Sequence, residues 1–268
     1  MESLFPGEWE SILKGSGYEF FDLRKYMPGD PLRNVHWKQT AKTGEVYVKE
    51  KLTESYASVM LLHDISKSTA FGEKEGMQAI ITASLAYSAL KGNNSCGMIM
   101  FSDKVDSYIP PRSGALQLKT IINVLQETRL NECKDTSITE ALQTLVNNVP
   151  RSLSFIISDF NARKDYRNIL GQIDQTHHDI ISLIIADQSE LDLPEGGCVL
   201  ELTDLEKGGS FTLDAHTYKL YHEEMLKEKK QIKNMLKAYG SDAEIIVTNG
   251  SFIKQISNLL RKRKDQKR

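Results

Sequence analysis

Asp64-Ile65-Ser66-Lys67-Ser68 places one carboxylate and two hydroxyls within five residues. All three are hard oxygen donors, the kind that Mg2+ or Ca2+ takes. The stretch directly follows an apolar run over 56–62 that reads as a buried strand. Open α/β sheets hold their ligands at that end of their strands. Taken alone, the five residues also suit a plain turn whose hydroxyls cap a helix.

Two later segments add matching chemistry. Residues 152–160 form another apolar strand that runs into Asp159. Residues 135–142 form a polar turn rich in hydroxyls that enters a helix. Asp-x-Ser-x-Ser, then a loop threonine, then a strand-end aspartate resembles the metal-ion-dependent adhesion site of von Willebrand factor A domains. The resemblance implies one divalent ion, Mg2+ with Ca2+ or Mn2+ as substitutes, held by Ser66, Ser68 and Thr136. Asp64 and Asp159 would complete the shell, partly through waters. Ser137 and Thr139 compete for the threonine role. Thr136 is preferred because Ile138 and Ala141-Leu142 sit where the family's helix begins.

These groups need a scaffold, and the chain from Tyr56 onward supplies an alternation of strands and helices. Helical spacing of apolar residues marks 73–91, with Gly92 as its end, then 114–128, 137–147, 165–174 and 215–239. Strands are expected at 95–101, 153–158, 179–186 and 243–247, with 105–109 as a hairpin partner or edge that Pro110-Pro111 breaks. An edge hairpin is expected from 198–202 and 210–213, and Ser251 should cap a last helix. The apolar run 179–186 suits a parallel strand covered on both faces. The pattern predicts an α/β fold with a doubly wound, mainly parallel sheet of Rossmann-like kind.

Residues 1–54 read differently: rich in Gly, Pro, aromatic and charged residues, with short strands and turns and no long helical period. Pro28-Gly29-Asp30 is a turn signal. Arg24, Asp30 and Arg33 could cluster as ion pairs around it, with Tyr26 and Trp37 as apolar cover. Arg24, Tyr26, Pro28-Gly29-Asp30, Arg33, Trp37, Thr40-Ala41 and Val48-Lys49-Glu50 resemble, in order and spacing, the signature of the bacterial domain of unknown function 58 family. That resemblance implies a small β-rich subdomain over 1–54 and a von Willebrand factor A-like domain over 55–268. Trp37 is expected to be buried at their junction. Many members of the family carry transmembrane helices ahead of the signature, which makes this chain a short member or a fragment of a longer membrane-associated protein. Members commonly sit beside MoxR-type AAA+ ATPases, which implies such an ATPase as protein partner. Departures from the family pattern are His63 before Asp64, Lys67 inside the turn, and Lys134-Asp135 ahead of the threonine.

Composition excludes several classes. A chain of 268 residues with net charge −2 is no general nucleic-acid binder. Cys96, Cys133 and Cys198 lie far apart, with neither metal spacing nor a disulfide framework, which suits a reducing, cytoplasmic setting. No apolar run approaches the ~20 residues needed to span a bilayer, and Met1–Pro6 carries no leader pattern. His177-His178 and the basic 261–268 tail read as solvated. Gly15-Ser16-Gly17 neither follows a strand nor opens a helix, so it is no phosphate loop.

Catalysis finds little support. There is no Gly-x-Ser-x-Gly elbow and no Walker loop. A hydrolase would need an Asp64/Asp159 ion to activate water. A shell dominated by neutral hydroxyls instead leaves an ion electrophilic, which suits capture of a partner's Asp or Glu. The expected function is metal-dependent protein–protein interaction, as an adaptor or substrate-recruiting partner of the ATPase. The alternatives are a scaffold of the same fold that needs no ion, and the hydrolase.

Overall fold

The computed structural model describes residues 21–28, 30, 32, 35–51, 58–128, 136–149, 151–161, 166–173, 178–191, 200–203, 210–213 and 215–266. The first hairpin pairs β1 (Phe21–Lys25) with β2 (Tyr47–Lys51) antiparallel, and between them lies the short helix α1 (Trp37–Thr43). The helix was not legible in the sequence because it is only two turns long and buries no residue. Local bonds hold it instead. His36 Nδ1 accepts from the Gln39 N–H at 3.1 Å, and Gly44, at φ 76°, ends it with its N–H on the Thr40 carbonyl. Trp37 is 69% exposed, so the expectation of a buried junction residue is wrong. As the first residue of a helix that buries no side chain, its ring has no core to enter. Val35 and Val48, bridged to each other, are the buried apolar residues beside the hairpin. The proposed cluster around the turn lies largely outside the described residues, which leave out Arg33 and the Arg24 side chain. Asp30 itself accepts the Met27 N–H at 2.8 Å.

The main sheet has six strands: β3 (Ser58–Asp64), β4 (Ser95–Phe101), β5 (Val105–Arg112), β6 (Leu153–Ser158), β7 (Asp179–Ala186) and β10 (Asp242–Val247). Their order across the sheet is β10-β7-β6-β3-β4-β5, and every neighbour pair is parallel except β4–β5. A separate antiparallel hairpin joins β8 (Leu200–Thr203) to β9 (Ser210–Leu213). Between the strands run α2 (Lys74–Lys91), α3 (Ala115–Glu127), α4 (Ile138–Asn148), α5 (Arg167–Ile173), the four-residue α6 (Gln188–Leu191), α7 (Ala215–Ala238) and α8 (Phe252–Gln266).

Alternate residues of each strand point to opposite faces, which makes two apolar layers. Val59 and Leu61 pack with Ile81 and Leu85 of α2, Ile121 of α3 and Ile256 of α8. Met60 and Leu62 pack with Leu142 of α4, Leu170 of α5 and Leu236 of α7. Coverage on both faces explains why β3, β4, β6 and β7 read as nearly unbroken apolar runs. No helix among the described residues is long and apolar enough to cross a membrane.

Three local expectations are corrected. Pro110 and Pro111 do not break the chain, because β5 runs on to Arg112. It is the outermost strand, and both prolines fall where its pairing with β4 shifts register, so neither costs a ladder bond; Gln117 Nε2 ties the Cys96 and Pro110 carbonyls together at 2.8 and 3.0 Å. His178 is buried, not solvated, and shares a 2.9 Å hydrogen bond with Ser152. In the basic tail Arg263 is 5% exposed and ion-paired to Asp179 and Asp242, because α8 lays it against the amino-terminal ends of β7 and β10. Ser251 stands before α8 as expected, its Oγ 3.5 Å from the Lys254 N–H.

Candidate functional site

From β3 the chain proceeds through α2 to β4 on one side, while β6, β7 and β10 build outward on the other. The strand order therefore reverses between β3 and β6, the topological switch point where such sheets hold ligands. Asp64 is the last residue of β3, and Asp159 follows the last residue of β6. The two strands are paired in parallel, so both acids emerge side by side. The loop after Asp64 is fixed to β4 by the Ile65 N–H on the Phe101 carbonyl at 2.9 Å. The Thr136 loop docks at the same end, through the Ser137 N–H on the Ser102 carbonyl at 2.6 Å.

Asp64, Ser66, Ser68, Thr136 and Asp159 are all buried, Ser68 being the most exposed at 8%. Asp64 Oδ1 accepts the Ser66 N–H at 2.8 Å, and its Oδ2 accepts the Ser158 hydroxyl at 2.5 Å. The Ser66 and Ser68 hydroxyls lie 3.2 Å apart and hydrogen-bond each other. Thr69 closes the turn by donating its hydroxyl to the Ser66 carbonyl at 2.7 Å. Burial, then the neighbouring Asp159 charge, pushes the Asp64 carboxyl up to about 7, against the hydrogen bonds from Ser158 and Ser66. Beside it in β3, His63 shares a 2.8 Å hydrogen bond with Thr82 of α2, and burial pushes its imidazole down to about 4.

Asp159 has the opposite balance. Its Oδ2 receives the Lys74 ammonium at 3.0 Å and its Oδ1 the Asn161 N–H at 3.2 Å. Lys74 also reaches Glu190 of α6 at 2.8 Å. Lys229 of α7 donates to the Asp159 carbonyl at 2.7 Å and to Asn161 Oδ1 at 3.1 Å. Both lysine side chains are 1% exposed. Burial raises the Asp159 carboxyl, and the Lys74 and Lys229 charges more than offset it, holding it below the usual carboxylate range. The next residue, Phe160, sits at φ 58°, rare for a bulky side chain. It is buried against Tyr166 and held by its own N–H on Ser158 Oγ at 2.9 Å.

The donors suit a divalent ion on one side of the site. Neighbouring oxygens around octahedral Mg2+, each at ~2.1 Å, stand ~3.0 Å apart. The Ser66–Ser68 separation of 3.2 Å is close to that. Asp64 is a buried carboxylate that a cation would keep ionised. Asp159 fits less well as a direct ligand, because its charge is already paired with the Lys74 ammonium, whereas the partners of Asp64 are neutral donors. Lys74, Lys229 and Ser158 escaped sequence reasoning, although two of them left a signal. Lys74 continues the buried α2 stripe of Gln78, Ile81 and Leu85, and Lys229 precedes Leu236 by two turns on α7. A lysine on a core-facing stripe needs an acidic partner. Asp187 was also missed. It accepts the Glu73 N–H at 2.8 Å, the Ser189 N–H at 2.9 Å and the Thr248 hydroxyl at 3.0 Å, and so fixes the start of α2.

A doubly wound six-stranded sheet with this acid–hydroxyl loop at its switch point defines a von Willebrand factor A-like domain. The chain belongs to the family described as "Protein of unknown function DUF58", whose profile matches residues 22–232. Among curated relatives, the uncharacterized protein Rv1480 of Mycobacterium tuberculosis (strain ATCC 25618 / H37Rv) is 24% identical over 216 residues, 78% of this chain and 67% of that protein. Among solved structures, the conserved hypothetical protein BatB of Bacteroides thetaiotaomicron superposes with a TM-score of 0.50 at 16% identity, covering 77% of this chain and 98% of that one. The SpRpn10 VWA domain gives 0.43 at 9% identity, covering 77% of this chain and 95% of that one.

Proposed function

We propose that this chain is a protein-interaction module that captures an acidic side chain of a partner through a divalent ion, Mg2+ in the cell, held by Asp64, Ser66, Ser68 and Thr136. The observation that carries the reading is Asp64, a buried carboxylate with no cationic partner among the described residues, beside two hydroxyls 3.2 Å apart at the switch point. With one carboxylate and neutral hydroxyls as ligands, the ion would keep much of its charge and attract a carboxylate from outside. Lys67, half-buried within the turn, would add positive charge to the approach. Of the proposed ligands Ser68 lies nearest to solvent, which is where a partner would enter. The family resemblance points to a MoxR-type AAA+ ATPase as that partner.

The test is binding of a purified MoxR-type AAA+ ATPase, with Mg2+ and with chelator. Binding should weaken with salt and should fail in chelator, in Asp64→Ala and in Thr136→Ala, with the melting transition retained. A second reading, an interaction scaffold that needs no ion, draws on the Lys74–Asp159 pair, which already places a cation in the site. Binding that persists in chelator would select it.

A further inference from the structure

We infer that Lys74, backed by Lys229, takes the place at Asp159 that a divalent ion would otherwise contact, so that the loops are assembled without an ion and Lys74 sets how weakly an ion is held. The inference deepens the metal-capture reading and rests on it. The Lys74 ammonium lies 3.0 Å from Asp159 Oδ2 and 2.8 Å from Glu190 Oε1, with 1% of its side chain exposed. It therefore bridges the segments that follow β6 and β7. The Lys229 ammonium holds the Asp159 carbonyl and Asn161 Oδ1 from the other helix layer. One loop is thus clamped by ammonium groups from both faces of the sheet.

The charges explain the consequence. The Lys74 ammonium pairs with Asp159 and Glu190, and Lys229 lies on the Asp159 carbonyl. Asp64 accepts from neutral donors, the Ser66 N–H and the Ser158 hydroxyl, and is the carboxylate left for an incoming ion. In a site with two free carboxylates the ion itself would order the loops. Here that work is divided: the lysines order the loop after β6, and the ion meets only the loop after β3 and Thr136. Like charges in a poorly solvated site repel strongly, so Lys74 opposes every cation that enters.

Mg2+ binding to the full chain by calorimetry, with melting in Mg2+ and in chelator, tests this directly. Lys74→Met should bind Mg2+ about tenfold tighter or more than the parent and should gain a melting shift with Mg2+. The charge-neutral pair Lys74→Met/Asp159→Asn should stay within about threefold of the parent, because neither member touches the ion. If Lys74→Met leaves a buried carboxylate so exposed that the chain does not fold, the neutral pair decides. Unchanged or weaker binding in Lys74→Met, or a tenfold or greater loss in the neutral pair, overturns the inference. A parent that ignores Mg2+ beside a Lys74→Met variant that binds it would support the inference and sink the metal-capture reading.

Discussion

Ser158 donates its hydroxyl to Asp64 Oδ2 at 2.5 Å across the β3–β6 pair, and Ser158 Oγ in turn accepts the Phe160 N–H at 2.9 Å. One buried hydroxyl thus couples the carboxylate at the end of β3 to the loop after β6. Ser158→Ala removes that bond from a desolvated acid and should cost about 2 kcal/mol of unfolding free energy. Urea denaturation measures it. A midpoint equal to that of the parent would mean that Asp64 is held from elsewhere.

The pH dependence should carry two opposed slopes. The Asp64 carboxyl stands at about 7 in the folded chain against an ordinary 3.8, so between those values the folded state holds a proton that the unfolded state has lost. Stability through Asp64 therefore declines as pH rises across that window and levels off above it. His63 stands at about 4 against an ordinary 6.5, so the unfolded chain takes up its proton first. Stability through His63 declines as pH falls from 6.5 towards 4. Each slope is worth at most ~1.4 kcal/mol per pH unit. In metal-free buffer the parent should be nearly flat from pH 4.5 to 6.5. Asp64→Asn should lose stability towards acid and His63→Gln towards neutrality. Parallel curves for the two variants would refute the assignment.

Gly72 and Asp187 form one clamp at the start of α2. Gly72 has φ +60°, and a Cβ there would overlap the Asp187 carboxylate. Gly72→Ala and Asp187→Ala should each cost about 3 kcal/mol, the first through strain and overlap, the second by orphaning buried donors. Because they disturb the same contact, the double variant should cost less than the two single losses added together. Additive losses in denaturant would show that the two residues act separately.

Trp37→Ala should change stability by no more than about 0.5 kcal/mol, because the ring is 69% exposed and packs against no core. Thermal melting decides it. A loss of several degrees would place the ring in a contact that its exposure does not reveal.

The sheet was legible because burial on both faces leaves strands with almost no polar residues. The stretches 95–101, 153–158 and 179–186 read as strands from composition alone. Asp64 and Asp159 were legible because each ends such a run. What sequence spacing could not supply was the partner of each charge. Lys74 and Asp159 are 85 residues apart, and Lys229 reaches Asp159 across 70, so only the assembled layers bring them together. Trp37 misled for a related reason. A large aromatic suggests a core, but α1 is too short to own one, and Val35 and Val48 fill the local interior. Arg263 and His178 were misread because their partners, Asp179 with Asp242 and Ser152, come from other elements.

The two consecutive prolines of β5 have a consequence for how copies of this chain meet. An outer strand offers its unpaired N–H groups as a template for a neighbour's strand, the usual start of edge-to-edge association and aggregation. Neither Pro110 nor Pro111 has an N–H to offer a neighbouring strand, and Gln117 occupies the Pro110 carbonyl besides. Extension of the main sheet is therefore disfavoured at the Pro110–Pro111 end of β5. Two copies that fuse their main sheets would meet more readily through β10, the other outer strand among the described residues, which carries no proline.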